Sequence, residues 1–332
     1  MIINFFTVTN LTSKPHQIIS LFFFMMFAIY FMMSPVNAAS IKSVKNLSEN
    51  LIDKNLYTDF VVVDYAKRLV MLDQPAKRIV SLAPHITENI FSAGAGNLIV
   101  GAVDYSDYPE KAKKIPRVGS MQGFSAEAVL ALKPDLIIAW GTGYSASFIQ
   151  QLIDLGLTVY IDEPKVLEDV AKSIQDIATM TGTKNTAKIS IDIYLQKLDA
   201  LKRRYSELEK IGVFYQVWDK PLRTINGDHI ISDVINLCGG YNSFADAIVI
   251  APKISIESVL ARNPASIVTS NTGSAGSDWL VEWSNWRSLR AVNDNNLFFI
   301  PPDLLQRHTV RILQGAEILC NQLESVRTNY NP

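Results

Sequence analysis

The sequence feature that most constrains the fold is a continuous helical stripe in residues 184–210. The segment contains neither Gly nor Pro, and its apolar residues recur at alternating steps of four and three. They are Ala187, Ile191, Tyr194, Leu198, Leu201, Tyr205 and Leu208. A helix of about 25 of these residues would be roughly 37 Å long at about 1.5 Å per residue, which is enough to join two small domains.

Strand and helix patterns alternate on both sides of this segment. Short apolar runs such as RIVSLA, LIIAW and the run beginning at Ile211 predict buried strands, and amphipathic stretches between them predict helices. The sequence therefore predicts an α/β protein with two Rossmann-like α/β lobes, joined by a single long backbone helix, with a ligand cleft between the lobes. The alternative is one large domain that carries a long surface helix.

An internal repeat supports two equivalent lobes. The segments SAEAVLALKPDLI (residues 125–137) and SIESVLARNPASI (residues 255–267) share Ser, Glu, Val, Leu, Ala, Pro and Ile at matching positions. The repeat places Glu127 and Glu257 in the first turn of a helix, one in each lobe, where the helix dipole favours a carboxylate. A capping role explains either acid alone, whereas the matched pair predicts two contact points for a symmetric partner.

Residues 1–38 differ in character from the rest of the chain. The predominantly apolar run at residues 18–33 follows Lys14 and precedes the small-residue site Val36-Asn37-Ala38. This pattern is typical of a secretory signal peptide, cleaved here after Ala38. The alternative is an uncleaved anchor, for which the run is short. We expect the mature protein to be periplasmic, without a membrane span and monomeric.

The predicted organisation divides the 332-residue chain into five parts. These are a signal peptide (1–38), a leader and hairpin (39–76), an N-terminal α/β lobe (77–183), the bridging helix (184–210) and a C-terminal α/β lobe (211–330). The formal net charge is −1, so no basic excess favours nucleic acid as a partner.

The two cysteines lie near the ends of helical patterns in the second half of the chain. An even number of cysteines in an exported chain predicts one disulfide, between Cys238 and Cys320. In the chain-entropy model, closing a loop of this length stabilises the folded protein by about 4 kcal/mol. Two buried free thiols are the alternative.

Sequence motifs of common enzymes are missing. The chain has no G-x-S-x-G, H-E-x-x-H or P-loop motif. Apart from His16, the histidines are His85, His229 and His308, which lie in separate segments, so we expect no metal site and no resident cofactor.

Aromatic residues gather where first-lobe strands are predicted to end. They are Tyr105, Tyr108, Phe124, Trp140 and Tyr144. In open α/β sheets ligands bind beyond the carboxyl ends of the strands, so these residues predict an aromatic wall, with Trp218 from the second lobe. Such a wall suits a bulky, partly apolar ligand.

Several motifs together resemble a known family. KRIVSLAPHITENIFSAGAGNLIVG, VDYSDYP, SAEAVLALKPDLIIAW, VINLCGG and VRILQGAEILCNQL are similar to the class III, helical-backbone periplasmic binding proteins of ABC importers. Within that family the resemblance is to members that carry vitamin B12 (cobalamin). It extends over about residues 60–327.

The resemblance implies roles for particular residues. Tyr105 and Trp140 would contact the corrin ring beside Pro84 and His85, and Asp303 and Arg307 would face the ligand from the second lobe. Glu127 and Glu257 would engage arginines of the permease. Cys238 and Cys320 would form the family's disulfide.

Four positions depart from the aromatic lining that the resemblance leads us to expect. Met121, Ala251 and Leu304 stand where relatives have Trp, and Val217 stands where they have Phe. We include Met121, Val217, Trp218 and Ala251 among the expected ligand contacts because of their positions.

The function that the resemblance implies is binding rather than catalysis. The chain is expected to capture a corrinoid and deliver it to the permease and ATPase complex of an inner-membrane ABC importer. Heme or a ferric siderophore is the alternative ligand, with His85 or His308 as the first candidates for axial contact. An exported hydrolase or chelatase is the remote alternative.

Overall fold

The computed structural model describes residues 59–120, 123–270 and 278–330. Within these ranges the chain forms two lobes, each built on a four-stranded parallel sheet. The predicted α/β class is confirmed. The predicted signal peptide, most of the leader and Met121 lie outside the described residues.

The first lobe begins with a hairpin, as predicted, and continues into its parallel sheet. The strands are β1 Val61–Val63, β2 Leu69–Met71, β3 Ile79–Ser81, β4 Ile99–Ala102, β5 Gly119–Ser120, β6 Gly123–Phe124, β7 Leu136–Trp140 and β8 Val159–Asp162. The helices are α1 Pro84–Ser92, α2 Ala126–Ala131, α3 Ala146–Asp154 and α4 Leu167–Thr181. The parallel sheet has the order β4-β3-β7-β8. β3 is buried at every position, as expected for a parallel strand covered on both faces.

The second lobe repeats this arrangement. Its strands are β9 Ile211–Gln216, β10 Gly240–Asn242, β11 Ser266–Thr269 and β12 Leu297–Phe299. Its helices are α6 Ile230–Leu237, α7 Ile256–Arg262, α8 Asp278–Trp283, α9 Arg290–Asn293, α10 Pro302–Leu305 and α11 Ile312–Tyr330.

The strand order β10-β9-β11-β12 is the order of the first lobe, with the second strand in sequence at the edge beside the first. The two similar sequence segments form α2 with β7 and α7 with β11, which occupy corresponding places. The predicted equivalence of the lobes is confirmed.

The bridging helix is α5, Lys184–Tyr205, and it connects the lobes. All but the last of its predicted stripe residues are buried: Ala187, Ile191, Tyr194, Leu198, Leu201 and Tyr205. The Tyr194 hydroxyl donates to the Leu167 carbonyl in α4 (2.8 Å), and the Tyr205 hydroxyl donates to Asn321 in α11 (3.1 Å). The helix thus packs on elements of both lobes.

The helix is shorter at its end than the predicted 184–210. After Tyr205 the Leu208 amide bonds back to the Tyr205 carbonyl in a turn, and the chain enters β9 at Ile211. Twenty-two residues give a helix of about 33 Å.

The lobes share one hydrophobic core. A continuous cluster of buried residues runs from Ile79 and Ile86 in the first lobe through Leu198 in α5 to Val213 and Leu319 in the second. Because the lobes are joined by packed core rather than by a linker alone, we expect only small changes in their relative orientation.

The predicted disulfide is present. Cys238, which ends α6, is bonded to Cys320 in the middle of α11, and both residues are buried. The bond fixes α11 to the end of α6 within the second lobe.

The closing helix begins later than the sequence pattern suggests. The apolar pattern predicts a helix from about residue 307, whereas α11 starts at Ile312. The segment between α10 and α11 is instead held by contacts with the first lobe. None of the helices in the described part of the chain combines the length and apolar character needed to cross a membrane.

Candidate ligand-binding cleft

A cavity of about 330 Å³ lies at the seam between the lobes. First-lobe residues supply one side of it and second-lobe residues the other. The lining residues are Pro84, His85, Tyr105, Trp140, Val217, His229, Ile231, Pro302, Asp303, Gln306, Arg307 and His308. The predicted cleft between lobes is therefore present.

The first-lobe side is built at the carboxyl ends of neighbouring strands. Pro84 and His85 open α1 directly after β3, Trp140 ends β7, and Tyr105 follows β4. Since β3 and β7 are adjacent and parallel, and their connections leave in opposite directions, a crevice forms at their ends. Pro84 suits the start of α1 because its ring fixes a helical φ and its missing N–H is not needed there.

Two aromatic side chains occupy different depths of this crevice. Trp140 is partly buried, and its indole Nε1 donates to Glu163 at 3.3 Å, which orients the ring. Tyr105 is 79% exposed at the rim and has a left-handed backbone (φ 63°).

The second-lobe side comes from the end of β9, the start of α6 and the segment around α10. Val217 follows β9, and Ile231 lies in the first turn of α6. His229 is the N-cap of α6, and its Nδ1 accepts the Ile231 amide at 3.1 Å.

Close packing fixes the segment that contains α10. A Cβ on Gly315 of α11 would lie only 2.3 Å from the Leu304 carbonyl oxygen, so the two helices approach as they do only because this residue is Gly. Gln306, Arg307 and His308 follow directly and are directed to the cleft from this support.

A buried charge network joins the lobes beside the cleft. Arg307 Nη1 donates to Glu88 (2.9 Å) and Asp107 (2.7 Å) in the first lobe, and Arg311 donates to Glu88 through Nε (2.9 Å) and Nη2 (2.6 Å). Arg311 also lies 3.9 Å over the Tyr108 ring. Glu88 is 3% exposed, so its charge depends on these two guanidinium groups.

The network sets the charge states of its members. Burial opposes the charge of Arg307, but hydrogen bonds to Asp107 and Glu88 outweigh it and raise the pKa of the guanidinium. Burial likewise opposes ionisation of Asp107, yet Arg307 lowers the pKa of that carboxyl below its usual value. Arg307 and Asp107 are therefore both charged near neutral pH.

Three imidazoles meet at the floor of the cleft. The ring centroid of His308 lies 5.4 Å from that of His85 and 5.5 Å from that of His229. The Trp140 ring stands edge-on to His85 at 5.3 Å and to His308 at 6.2 Å.

The floor keeps these imidazoles uncharged. Burial, and then the nearby Arg307, lower the pKa of His85 to about 3, and burial lowers the pKa of His229 to about 4. Burial, with the other two histidines, lowers the pKa of His308 well below its usual value. A neutral imidazole keeps a nitrogen lone pair that can bind a metal centre.

Behind the floor lies a buried carboxyl group. Asp162 Oδ2 is 3.8 Å from His85 Nε2, and neither atom has a hydrogen-bond partner. Burial raises the pKa of Asp162 to about 7, although Ser173 donates a hydrogen bond to its other oxygen, at 2.5 Å.

Most of the predicted ligand contacts lie in the cleft. Pro84, His85, Tyr105, Trp140, Val217, Asp303 and Arg307 line the cavity. Two others lie outside its lining. Trp218 is 53% exposed, with its indole N–H donating to the Lys220 carbonyl (3.2 Å), and Ala251 lies in a loop where its carbonyl accepts from Arg223.

The predicted aromatic wall is smaller than expected. The Tyr144 hydroxyl donates to the Leu82 carbonyl and its ring packs on Phe148, while Tyr108 lies under Arg311. Tyr105 and Trp140 are the members of the predicted wall that reach the cavity lining.

Sequence reasoning missed other lining residues as site positions: His229, Ile231, Pro302 and Gln306. His308, expected only as a candidate axial contact for the alternative ligand, also lines the cavity. His229 could have been found from the scarcity of histidine, since every histidine after His16 lies on this floor. Ile231 and Gln306 carry no comparable sequence signal.

The predicted docking acids occupy matching positions. Glu127 and Glu257 are exposed in the first turns of α2 and α7, whose N-caps are Ser125 and Ser255. A hydrogen bond from Ser125 lowers the pKa of the Glu127 carboxyl. Hydrogen bonds from its own backbone and then from Ser255 lower the pKa of the Glu257 carboxyl.

The geometry of the cleft suits capture of a ligand. No group of three or more His, Cys, Asp or Glu residues is arranged to hold a metal ion in the described ranges.

Comparison with known proteins identifies relatives that align with about three quarters of this chain and nearly all of their own length. The chain is 34% identical over 259 residues to a vitamin B12-binding protein of Vibrio parahaemolyticus, covering 78% of this chain and 94% of the relative. It is 37% identical over 251 residues to a vitamin B12-binding protein of Vibrio cholerae, covering 75% of this chain and 90% of the relative.

Solved structures agree with this relationship. The crystal structure of the periplasmic vitamin B12-binding protein of Vibrio cholerae matches with a TM-score of 0.71 at 36% identity, covering 76% of this chain and 98% of that one. A periplasmic heme-binding protein of the same species shares the fold, with a TM-score of 0.63 at 23% identity.

The relatives are named as binding proteins, and the chain is a binding protein and not an enzyme. The profile of the family described as periplasmic binding protein matches residues 79–304. The chain therefore belongs to the periplasmic binding protein family.

Proposed function

We propose that the mature protein captures a corrinoid, vitamin B12 or a close analogue, in the cleft between its lobes and delivers it to an inner-membrane ABC importer. The observation that carries the proposal is the composition of the seam. Aromatic, apolar and neutral imidazole side chains from both lobes converge there, in a chain whose relatives are named as vitamin B12-binding proteins.

The cleft is suited to a flat ligand that is larger than the enclosed cavity and extends out of it. A volume of about 330 Å³ is near the lower end of the ~300–1,000 Å³ typical of ligand pockets. One edge of a macrocycle would lie on this floor, and one of its faces would cover the exposed Tyr105 ring at the rim. Trp218, which is exposed outside the lining, is available to a ligand that projects from the cleft.

Polar groups at the rim match the edge of a corrin ring. The Asp303 side chain is 51% exposed, pairs with Arg307 at 3.0 Å and has further acceptor capacity. Gln306 donates through Nε2 to the Ser270 carbonyl, and its Oε1 is an acceptor. The amide side chains around a corrin offer N–H donors and carbonyl acceptors to such groups. Affinity would come mainly from burial of the ring faces, and the polar contacts would set its orientation.

Heme is the second candidate ligand, favoured by the three uncharged imidazoles on the floor. Neutral imidazole is a common axial ligand of heme iron. Corrinoids remain the first candidate because the relatives above 30% identity are named for vitamin B12. A ferric siderophore is the remaining alternative.

Export places the protein where an importer would need it. Residues 1–38 carry the pattern of a signal peptide cleaved after Ala38, and periplasmic relatives match the chain that follows. We propose that the mature protein acts as a periplasmic monomer.

Ligand titration tests the proposed function. Cyanocobalamin added to residues 39–332 should quench tryptophan fluorescence with an apparent Kd of about 1 μM or lower, equivalent to about 8 kcal/mol. Trp140→Phe should remove part of the quench because Trp140 lines the cleft, and Trp286→Phe is the matched control away from it. Binding of hemin or a ferric siderophore without binding of cyanocobalamin would refute the corrinoid assignment.

We further propose that Glu127 and Glu257 contact arginines of the permease. Their support is the repeated helix start in each lobe and the exposure of both carboxylates. Reversing both charges (Glu127→Arg with Glu257→Arg) should abolish corrinoid uptake in cells while ligand affinity is kept. The control pair Glu110→Arg with Glu207→Arg changes two other exposed acids and should leave uptake intact. Uptake that survives the first pair would contradict the docking proposal.

A further inference from the structure

The loop after β4 carries an exposed aromatic ring on an unusual backbone. Tyr105 is 79% exposed at the rim of the cleft and has a φ of 63°. A left-handed backbone is uncommon in residues other than Gly, and it is unfavourable for a bulky side chain. Such a conformation persists only where the surrounding contacts determine it. The contacts around Tyr105 therefore fix the direction in which its side chain leaves the backbone.

The first lobe holds this loop on either side of Tyr105. On one side, the Asp104 amide donates to the Gly119 carbonyl at 2.9 Å. On the other side, Arg117 Nη2 donates to the Ser106 carbonyl at 2.8 Å. Both contacts hold the neighbours of Tyr105 and leave the Tyr105 carbonyl to other donors.

Arg307 of the second lobe supplies one of those donors. Its Nη2 donates to the Tyr105 carbonyl at 3.3 Å, and its Nη1 donates to the Asp107 carboxylate at 2.7 Å. The Asp107 amide also donates to the Tyr105 carbonyl, at 3.0 Å. The pair of Arg307 and Asp107 therefore holds the peptide group that follows the Tyr105 side chain, and it does so across the seam between the lobes.

The terminal nitrogens of Arg307 are engaged by the protein, although the residue lines the cavity. Nη1 also donates to Glu88 at 2.9 Å, and Nη2 also pairs with Asp303 at 3.0 Å. Each terminal nitrogen has two N–H groups and already contacts two acceptors of the protein. The Arg307 side chain is 13% exposed. A ligand could accept a hydrogen bond from a terminal nitrogen only by displacing one of these acceptors.

We propose that Arg307 is a positioning residue, which sets the direction of the Tyr105 ring toward the captured ligand and does not itself bind the ligand. This proposal rests on the proposed function and deepens it, because it gives the second lobe a role in orienting a ligand contact of the first. The affinity for the ligand then depends on Arg307 only through Tyr105.

A double-mutant cycle with cyanocobalamin and the mature protein tests the proposal. Arg307→Lys keeps the positive charge, but an ammonium group cannot reproduce the planar set of donors that reaches both Tyr105 and Asp107. Tyr105→Ala removes the ring and should weaken binding by about tenfold. Arg307→Lys should weaken binding by about fivefold when the Tyr105 ring is present. In the Tyr105→Ala background it should change the Kd by less than about twofold.

Asp107→Asn is a second variant, from the other side of the pair. The Asp107 side chain is 45% exposed and lies outside the lining of the cavity, so the substitution should leave the fold intact. Loss of the carboxylate loosens the loop, so binding should again weaken by about fivefold, and only when the Tyr105 ring is present. If Arg307 bound the ligand directly, this substitution would release Arg307 and leave binding unchanged or tighter.

Leu198→Ala is the control for lost stability. Leu198 is a core residue of α5 that does not line the cleft, so its truncation should leave the Kd unchanged with and without the Tyr105 ring. The urea unfolding of each variant shows that the protein in the titration is folded.

The outcomes separate this proposal from the proposed function. Equal weakening by Arg307→Lys with and without the Tyr105 ring would overturn the positioning role and indicate direct contact with the ligand. An unchanged Kd for Arg307→Lys would overturn it and indicate a purely structural role. Failure of the wild-type protein to bind any corrinoid would overturn both proposals.

Discussion

Glu88 shows at the scale of one residue how this chain connects its lobes. A carboxylate that is 3% exposed is stable only with charged or donating partners around it. Arg307 and Arg311 of the second lobe supply them, and their side chains are themselves only 13% and 12% exposed. Without Glu88, Arg311 would lose the carboxylate that it contacts through two nitrogens, and Arg307 would keep only its pairs with Asp107 and Asp303.

Removal of the Glu88 charge should destabilise the folded protein. We expect Glu88→Gln to lower the free energy of unfolding by about 3 kcal/mol, because two guanidinium groups lose their shared carboxylate. Urea unfolding of both proteins measures the difference. Glu110→Gln is the control: its pair with Lys113 is exposed and should change stability by no more than about 0.5 kcal/mol. Equal stability of Glu88→Gln and wild type would show that the network contributes little.

The three buried histidines lead to a prediction about how the free energy of unfolding depends on pH. The pKa values of His85, His229 and His308 are lowered in the folded protein, so between about pH 6.5 and pH 4 the unfolded chain binds three protons that the folded chain does not. The raised pKa of Asp162, about 7, acts in the opposite direction, because the folded chain keeps one proton that the unfolded chain releases. These four groups together should reduce stability by about 2.7 kcal/mol for each unit that the pH falls.

One substitution isolates the contribution of a single ring. His229→Asn should reduce this slope by about 1.4 kcal/mol per pH unit while keeping the helix cap. Urea unfolding at about pH 6 and pH 5 measures the slope. An unchanged slope in His229→Asn would mean that this ring titrates in the folded state as it does in the unfolded chain.

At the scale of elements, the bridging helix was the most predictable part of the fold. The alternation of four and three residues from Ala187 to Tyr205 specifies one buried face, and local geometry alone produces that pattern. The end of the helix was less predictable. Leu208 continues the apolar pattern, but the chain must turn after Tyr205 to enter β9, and a tertiary requirement of that kind is not visible in a local period.

The buried face of α5 should contribute more to stability than its exposed face. Leu198 is 3% exposed, and Leu198→Ala should lower the free energy of unfolding by about 3 kcal/mol through lost burial and a residual cavity. Ile193 is 63% exposed on the same helix, and Ile193→Ala should change it by no more than about 0.5 kcal/mol. Denaturant unfolding of the two variants tests this. Similar losses in both would contradict the assignment of the buried face.

Only some of the residues that line the cleft could be predicted from the sequence. Trp140 and His85 follow strands whose ends form a ligand crevice in any sheet of this topology, so sequence position was sufficient. Trp218 follows Val217 just beyond the end of β9, where the chain bends, and only Val217 lines the cavity. Gln306 and His308 reach the floor through packing of α10 on α11, which no sequence period reveals.

At the scale of the whole molecule, two equivalent lobes are held at a set distance on either side of one seam. The shared hydrophobic core through α5 and the network at Glu88 both limit changes in the separation of the lobes. A cleft that is largely formed before the ligand arrives binds with little loss of conformational entropy.

The most direct test of the central claim is a competition measured by native mass spectrometry. Residues 39–332 are mixed with equimolar cyanocobalamin, hemin and a ferric siderophore, and the mass of the complex identifies the ligand chosen. We expect a complex of one protein chain with one cyanocobalamin as the main species. A main species that contains hemin or the siderophore, or no complex at all, would contradict it.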